Sequence, residues 1–146
     1  MKIYFDTNVL VAAALVNHPH HIPAEAALRK VHKREIEGWI SAHRVAEFYA
    51  VMTRAPLTPP VYPSEAWQIL DRNVFPHFKV ASLSGDEYRD VVRHCAEIGG
   101  AGGRVYDALY LAAARSADCT QIYTFNLRHF CELAPELADR IRTPCE

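Results

Sequence analysis

"KIYFDTNVLVAAALV", residues 2–16, sets the architecture of the chain. "KIYF" (2–5) has the pattern of a short buried strand, and the Asp-Thr-Asn that follows is a helix-opening signal. The Ala-, Leu- and Val-rich remainder continues that helix. A strand that runs directly into a helix is the first half of a strand–helix–strand unit, and the same order recurs downstream.

"GWIS" (38–41) reads as a strand, with Ser41 capping a helix over 42–53. "KVASL" (79–83) is a third strand, and "SGDE" (84–87) is a capping-box pattern that opens a helix to about Ile98. "TQIYTF" (120–125) is a β-branched and aromatic strand, and "RIRTP" near the end is a short edge strand. Further helices are expected at roughly 23–34, with Pro23 in the first turn, and from Ser64 to about Phe75. Another lies in "GRVYDALYLAAARSA" (103–117), after the glycine-rich "GGAGG" (99–103). "APLTPPVYP" (55–63) is a stiff non-helical connector. Strands alternating with helices specify an α/β fold with a mainly parallel central sheet.

The 146 residues suit one domain, 1–146, and half of them are hydrophobic. A net charge of −1 excludes a protein that coats nucleic acid by bulk electrostatics, while leaving room for local basic patches. The cysteines Cys95, Cys119, Cys131 and Cys145 form no C-x-x-C or zinc-finger pattern, so reduced thiols are expected. Asp6 interrupts the apolar N-terminal stretch, which argues against a signal peptide, and the run Val9 to Val16 is too short to span a bilayer. A cytoplasmic location without membrane association is the expectation.

The topology makes a geometric statement about acidic residues. In right-handed units each helix starts where its strand ends, so helix N-termini gather at the carboxyl edge of the sheet. Asp6 ends the first strand there, and Asn126 follows the strand 120–125. Asp107 lies in the first turns of its helix, and Glu47 in the second turn after Ser41.

Each has an alternative role. Asp6 serves equally as a helix cap, and Asp107 as a charge complementing a helix N-terminus or pairing with Arg104. Glu47, with His43, Arg44, Val51 and Arg54 as helix neighbours, fits an exposed salt bridge. Asn126 fits a turn. Taken together, carboxylates about 4–5 Å apart repel by roughly 3–4 kcal/mol per pair at an effective dielectric of 20. Three gathered carboxylates need a cation, and their hard oxygens suit Mg²⁺ or Mn²⁺ rather than zinc. Such an ion activates water and stabilises phosphodiester oxygens during in-line displacement.

"YFDTNVL" (4–10), "SAHRVAEFYAVMTR" (41–54), "RVYDALYLAAA" (104–114) and "IYTFNLRHF" (122–130) follow in an order and spacing that covers nearly the whole chain. In these stretches it resembles the PIN-domain ribonucleases, in particular the VapC toxins of bacterial toxin–antitoxin pairs. The resemblance implies a three-layer α/β/α sandwich and a metal-dependent endoribonuclease that cuts a structured RNA such as tRNA or rRNA. It implies a VapB-like antitoxin that inhibits the toxin, and a homodimer.

Asp6, Glu47 and Asp107 match the three core acidic positions of the family, and Asn126 the fourth, which is Asp or Asn. Thr7 and Thr124 match hydroxyl residues that orient the cluster, and His129 stands at a variable position. With Asn126 neutral, one Mg²⁺ is a better fit than two. On this view Asp6 and Asp107 bind the ion, Glu47 orients or deprotonates the attacking water, and Asn126 completes the shell or bonds the phosphate. Arg104 either holds the cluster or contacts phosphate. The expected products carry a 5′-phosphate and a 3′-hydroxyl.

Other readings fare less well. An aspartyl phosphatase with Asp6 as nucleophile wants an Asp where Asn8 stands, and a phospho-receiver wants a Lys where "TFNLRHF" (124–130) has Arg128 and His129. A DNA or flap nuclease needs clamp helices for which the chain has no room. A PIN-like scaffold that binds RNA or a partner without cutting is the remaining alternative. "RKVHKR" (29–34) reads as helix C-terminal charge or an RNA-tracking edge, "HPHHIP" (18–23) as a loop rather than a metal site, and Trp67 as core.

Overall fold

The computed structural model describes residues 1–145. Five parallel strands form one sheet: β1 (Lys2–Phe5), β2 (Glu37–Ser41), β3 (Phe78–Ala81), β4 (Gln121–Tyr123) and β5 (Ile141–Arg142). Their spatial order is β3-β2-β1-β4-β5, so the first strand is central and β5 is an edge. The helices are α1 (Thr7–Ala14), α2 (His21–His32), α3 (Ala42–Arg54), α4 (Pro63–Ile69), α5 (Gly85–Glu97), α6 (Arg104–Ser116) and α7 (Leu127–Leu133).

Strand alternation divides the core into two layers. Ile3, Phe5 and Ile40 pack with residues of α1 to α4, including Leu10, Ala27, Phe48 and Leu70. Tyr4 and Ile122 point the other way and pack with Tyr110, Leu111 and Ala114 of α6 and with Phe130 of α7. Helices therefore cover both faces, giving the three-layer α/β/α arrangement that the sequence resemblance implies. All pairings are parallel, a stricter result than the mainly parallel sheet expected.

Most element positions follow the sequence signals. Ser84 accepts from the Glu87 amide while the Glu87 side chain accepts from the Ser84 amide, completing the expected capping box. The second helix starts at His21, slightly before the expected Pro23, and Pro23 remains in its first turn. The helix expected from Ser64 to Phe75 begins at Pro63, and Leu70–Val74 continues it as a wider π turn. Helix α7 has no counterpart in the sequence reading: seven residues span too few turns to show a period. Trp67, expected in the core, is 54% exposed and lies beside the exposed Phe75. The buried apolar positions of that segment are Ala66, Leu70 and Val74.

The sheet leaves no room at Gly38 of β2. A Cβ there would lie 2.7 Å from the Phe78 ring and 2.9 Å from Val31. Phe78 is itself held edge-on to Phe5. Gly38→Ala is expected to destabilise the domain by about 1–3 kcal/mol through overpacking, measured as a lower urea midpoint at unchanged slope.

Candidate active site

The site begins with where β1 ends. Asp6 has extended backbone, and its amide donates to the Tyr123 carbonyl at 2.9 Å, which ties the ends of β1 and β4 together. Its side chain does not cap α1. Instead Oδ2 accepts from the Thr124 hydroxyl at 2.7 Å, and Oδ1 lies 2.9 Å from an Arg44 Nη atom. Both oxygens accept, the pattern of an ionised carboxylate. Burial pushes the Asp6 carboxyl above its usual range, with Arg44 and the Thr124 hydroxyl pulling the other way.

Thr124 is fully buried and uses every capacity of its hydroxyl. It donates to Asp6, and it accepts from Asn8 Nδ2 at 3.3 Å and from the Asn126 amide at 3.0 Å. Asn8 in turn accepts from the Phe125 amide. The start of α1 and the end of β4 are thus locked around one hydroxyl.

Ser41 caps α3 by accepting from the Arg44 amide, which fixes Arg44 and Glu47 on one helix face at i, i+3. Arg44 is 3% exposed. The Nη atom that meets Asp6 also lies 2.8 Å from Glu47 Oε2 and 3.3 Å from the Thr7 hydroxyl. Glu47 Oε2 accepts further from Thr7 at 3.2 Å and from the Tyr110 hydroxyl at 2.7 Å. Burial and this bond to Glu47 push the Tyr110 hydroxyl far above its usual pKa, so it stays a donor. The guanidinium lies on the Tyr110 ring, 3.0 Å from its centroid. Burial opposes charge on Arg44, but Asp6, Tyr4 and Glu47 outweigh it and raise its pKa.

Asp107 occupies the first turn of α6, as expected, and its partner is His129 of α7, with Nε2 2.6 Å from Oδ2. Arg104 is exposed and makes no ion pair with Asp107 among the described residues. Asn126 is exposed at the start of α7. Asp6, Glu47, Asp107 and Asn126 line a common pocket, joined by Arg44 and by His18 from the loop after α1. His20 of that loop stacks on Phe125 with ring centroids 4.3 Å apart. Of the site residues read from the sequence, Asp6, Thr7, Glu47, Asp107 and Asn126 share one pocket; Thr124 is buried behind Asp6, and Arg104 faces solvent.

The exposed salt bridge that Glu47's helix neighbours His43, Arg44 and Arg54 suggest forms with Arg44, but it is buried on the arginine side. The available signal was the Ser41 cap, which places Arg44 in the first turn beside the strand ends. Tyr110 and Asn8 were not singled out, because neither carries a charge pattern.

Hard oxygen donors suit a small divalent ion. Among the described residues, however, no three His, Cys, Asp or Glu side chains converge on one point. Asp6 and Glu47 are drawn to Arg44, and Asp107 to His129. The donor chemistry fits an ion, while the local charge balance comes from the protein's own cationic and hydrogen-bonding groups.

Comparison with known proteins resolves the family. The PIN domain family pattern matches residues 3–135. The chain belongs to the PIN-domain family. This PIN domain is 32% identical to ribonuclease VapC40 of Mycobacterium tuberculosis over 142 residues, covering 97% of this chain and 95% of that one. Its fold matches the VapBC2 complex of Rickettsia felis bound to a promoter DNA fragment, with TM-score 0.67, 18% identity, and 98% of each chain covered. It also matches M. tuberculosis VapC20, a sarcin–ricin loop cleaving toxin, with TM-score 0.68 and 14% identity, covering 92% of this chain and 94% of that one.

Thr124→Val removes one donor from Asp6 and strands the Asn8 and Asn126 donors. The variant is expected to lose about 1–3 kcal/mol of stability, read from urea denaturation in the presence of chelator.

Proposed function

We propose that this PIN domain is the toxin of a type II toxin–antitoxin pair, an endoribonuclease that hydrolyses phosphodiester bonds of a structured cellular RNA such as tRNA or rRNA. The observation that carries this reading is the single pocket lined by Asp6, Glu47, Asp107 and Asn126 at the carboxyl edge of the sheet. The likeness to a ribonuclease over nearly the full length of both chains supports the activity.

Asp6 and Asp107, with Glu47, would hold Mg²⁺, or Mn²⁺ in its place. When bound, the ion supplies a water of lowered pKa and neutralises charge on the phosphodiester. Glu47 orients the attacking water or takes its proton; Thr7 and Tyr110 fix the carboxylate from the side of Oε2. Thr124 keeps Asp6 aimed. Asn126, neutral and exposed, donates to the substrate phosphate without adding repulsion. Arg104, solvent-facing one turn before Asp107, serves as a phosphate contact rather than as glue within the cluster. The products are a 5′-phosphate and a 3′-hydroxyl.

A VapB-like antitoxin is the proposed protein partner, and a homodimer the proposed assembly. The exposed Trp67 and Phe75 support an apolar contact of this kind. The proposed location is the cytoplasm; no helix among the described residues is long and apolar enough to cross a membrane. A second reading, a PIN-like scaffold that binds RNA or a partner without cutting, is favoured by one observation: Arg44 already neutralises Asp6 and Glu47.

The deciding experiment is cleavage of a panel of structured RNAs with Mg²⁺ or Mn²⁺. Asp107→Asn, verified as folded, is expected to cut at least ~100-fold more slowly than the wild type. Undiminished cleavage by that variant would remove Asp107 from the site. RNA binding without metal-dependent cleavage by the wild type selects the scaffold.

A further inference from the structure

Arg44 holds a position that glue alone does not explain. One of its Nη atoms bridges Asp6 Oδ1 at 2.9 Å and Glu47 Oε2 at 2.8 Å, and it also touches the Thr7 hydroxyl at 3.3 Å. Its Nε and its other Nη atom are buried and have no hydrogen-bond partner, only the face of the Tyr110 ring. An arginine selected to stabilise a buried pair would be expected to use its donor fork on both carboxylates, since stranded donors are costly. Here one nitrogen does all the bridging, as a point cation would.

A divalent ion that took Asp6 Oδ1 and Glu47 Oε2 as ligands would need the place this guanidinium nitrogen holds. Mg²⁺ needs its oxygens about 2.0–2.1 Å away, so the ion and the guanidinium nitrogen cannot occupy that space together. The chain supplies a cation at these two oxygens from within.

We propose that Arg44 is a resident counter-ion of the acidic pocket, which competes with a divalent metal ion for Asp6 and Glu47 and must leave their oxygens before the ion can bind. In the metal-free protein Arg44 holds the two carboxylates together against their repulsion. Metal binding is an exchange of one cation for another, so its affinity is set by the cost of displacing the guanidinium. The side chain has a partial reason to move: its two stranded donors gain partners on leaving, and Glu47 is one-third exposed, which opens the pocket on that side. The inference rests on the proposed function only in taking a divalent ion as the ligand of these carboxylates; RNA cleavage does not enter it.

The test is Mn²⁺ binding to the full chain, measured by calorimetry and by the loss of the free-ion electron paramagnetic resonance signal. Arg44→Gln is expected to bind Mn²⁺ roughly tenfold or more tightly than the wild type, because the competing charge is gone. Equal or weaker binding by the variant overturns the proposal, as does failure of both proteins to bind. A variant that folds only when Mn²⁺ is present supports it, since the ion then takes the place of the arginine.

If Arg44→Gln folds under neither condition, the wild type decides, through its arginine side-chain nitrogen resonances during a Mg²⁺ titration. The Arg44 Nε signal is expected to move in step with the amides of Asp6 and Glu47. Amides that move while Arg44 stays still, or no movement at any of them, overturns the exchange. Because no RNA is present, a protein that cleaves nothing can still pass this test, and a proven ribonuclease can fail it.

Discussion

The buried guanidinium of Arg44 is the constraint around which this PIN domain is organised. β1 is the central strand, so the residue that ends it has neighbours on both sides and little access to water. Placing a carboxylate there is costly unless a cation and hydrogen bonds answer it. Arg44 and Thr124 provide both, from elements that flank β1 in the sheet or follow its neighbour. A buried pair of this kind adds little net stability over apolar packing, but loss of one member leaves the other charged and unanswered. Its value lies in fixing where the strand ends, the start of α3 and the acidic residues stand relative to one another.

Two helices serve the pocket with paired positions. Arg44 and Glu47 are three residues apart on α3, and Asp107 and Tyr110 are three apart on α6. Each helix so presents one acidic side chain and one residue that restrains an acid, its own or its neighbour's. The apolar remainder of α6 packs against the sheet through Leu111 and Ala114, which keeps this pairing in register.

The fold and the acidic positions were legible because both rest on local signals. Ser41 and "SGDE" mark helix starts, β-branched runs mark strands, and strand-to-helix order places Asp6, Glu47, Asp107 and Asn126 at one edge. The partners of those acids were legible only in part: the Arg44–Glu47 pair and the Thr7 and Thr124 hydroxyls were in view, the others were not. Arg44 meets Asp6 across the sheet, Tyr110 meets Glu47 from another helix, and His129 meets Asp107 from a helix too short to announce itself. Such contacts depend on the depth of each side chain, which no spacing encodes. Trp67 shows the same limit from the other side: an aromatic among apolar helix residues reads as core, yet the helix turns it outward.

The bond between Thr124 and Asp6 joins residues 118 positions apart. During synthesis β1 leaves the ribosome well before its second neighbour, β4, and the hydroxyl that aims Asp6. Until β4 follows, the chain exists without an assembled pocket. For a nuclease made among the RNAs it cuts, this separation would act as a delay, confining activity to molecules whose sheet has closed and giving a binding partner time to arrive first.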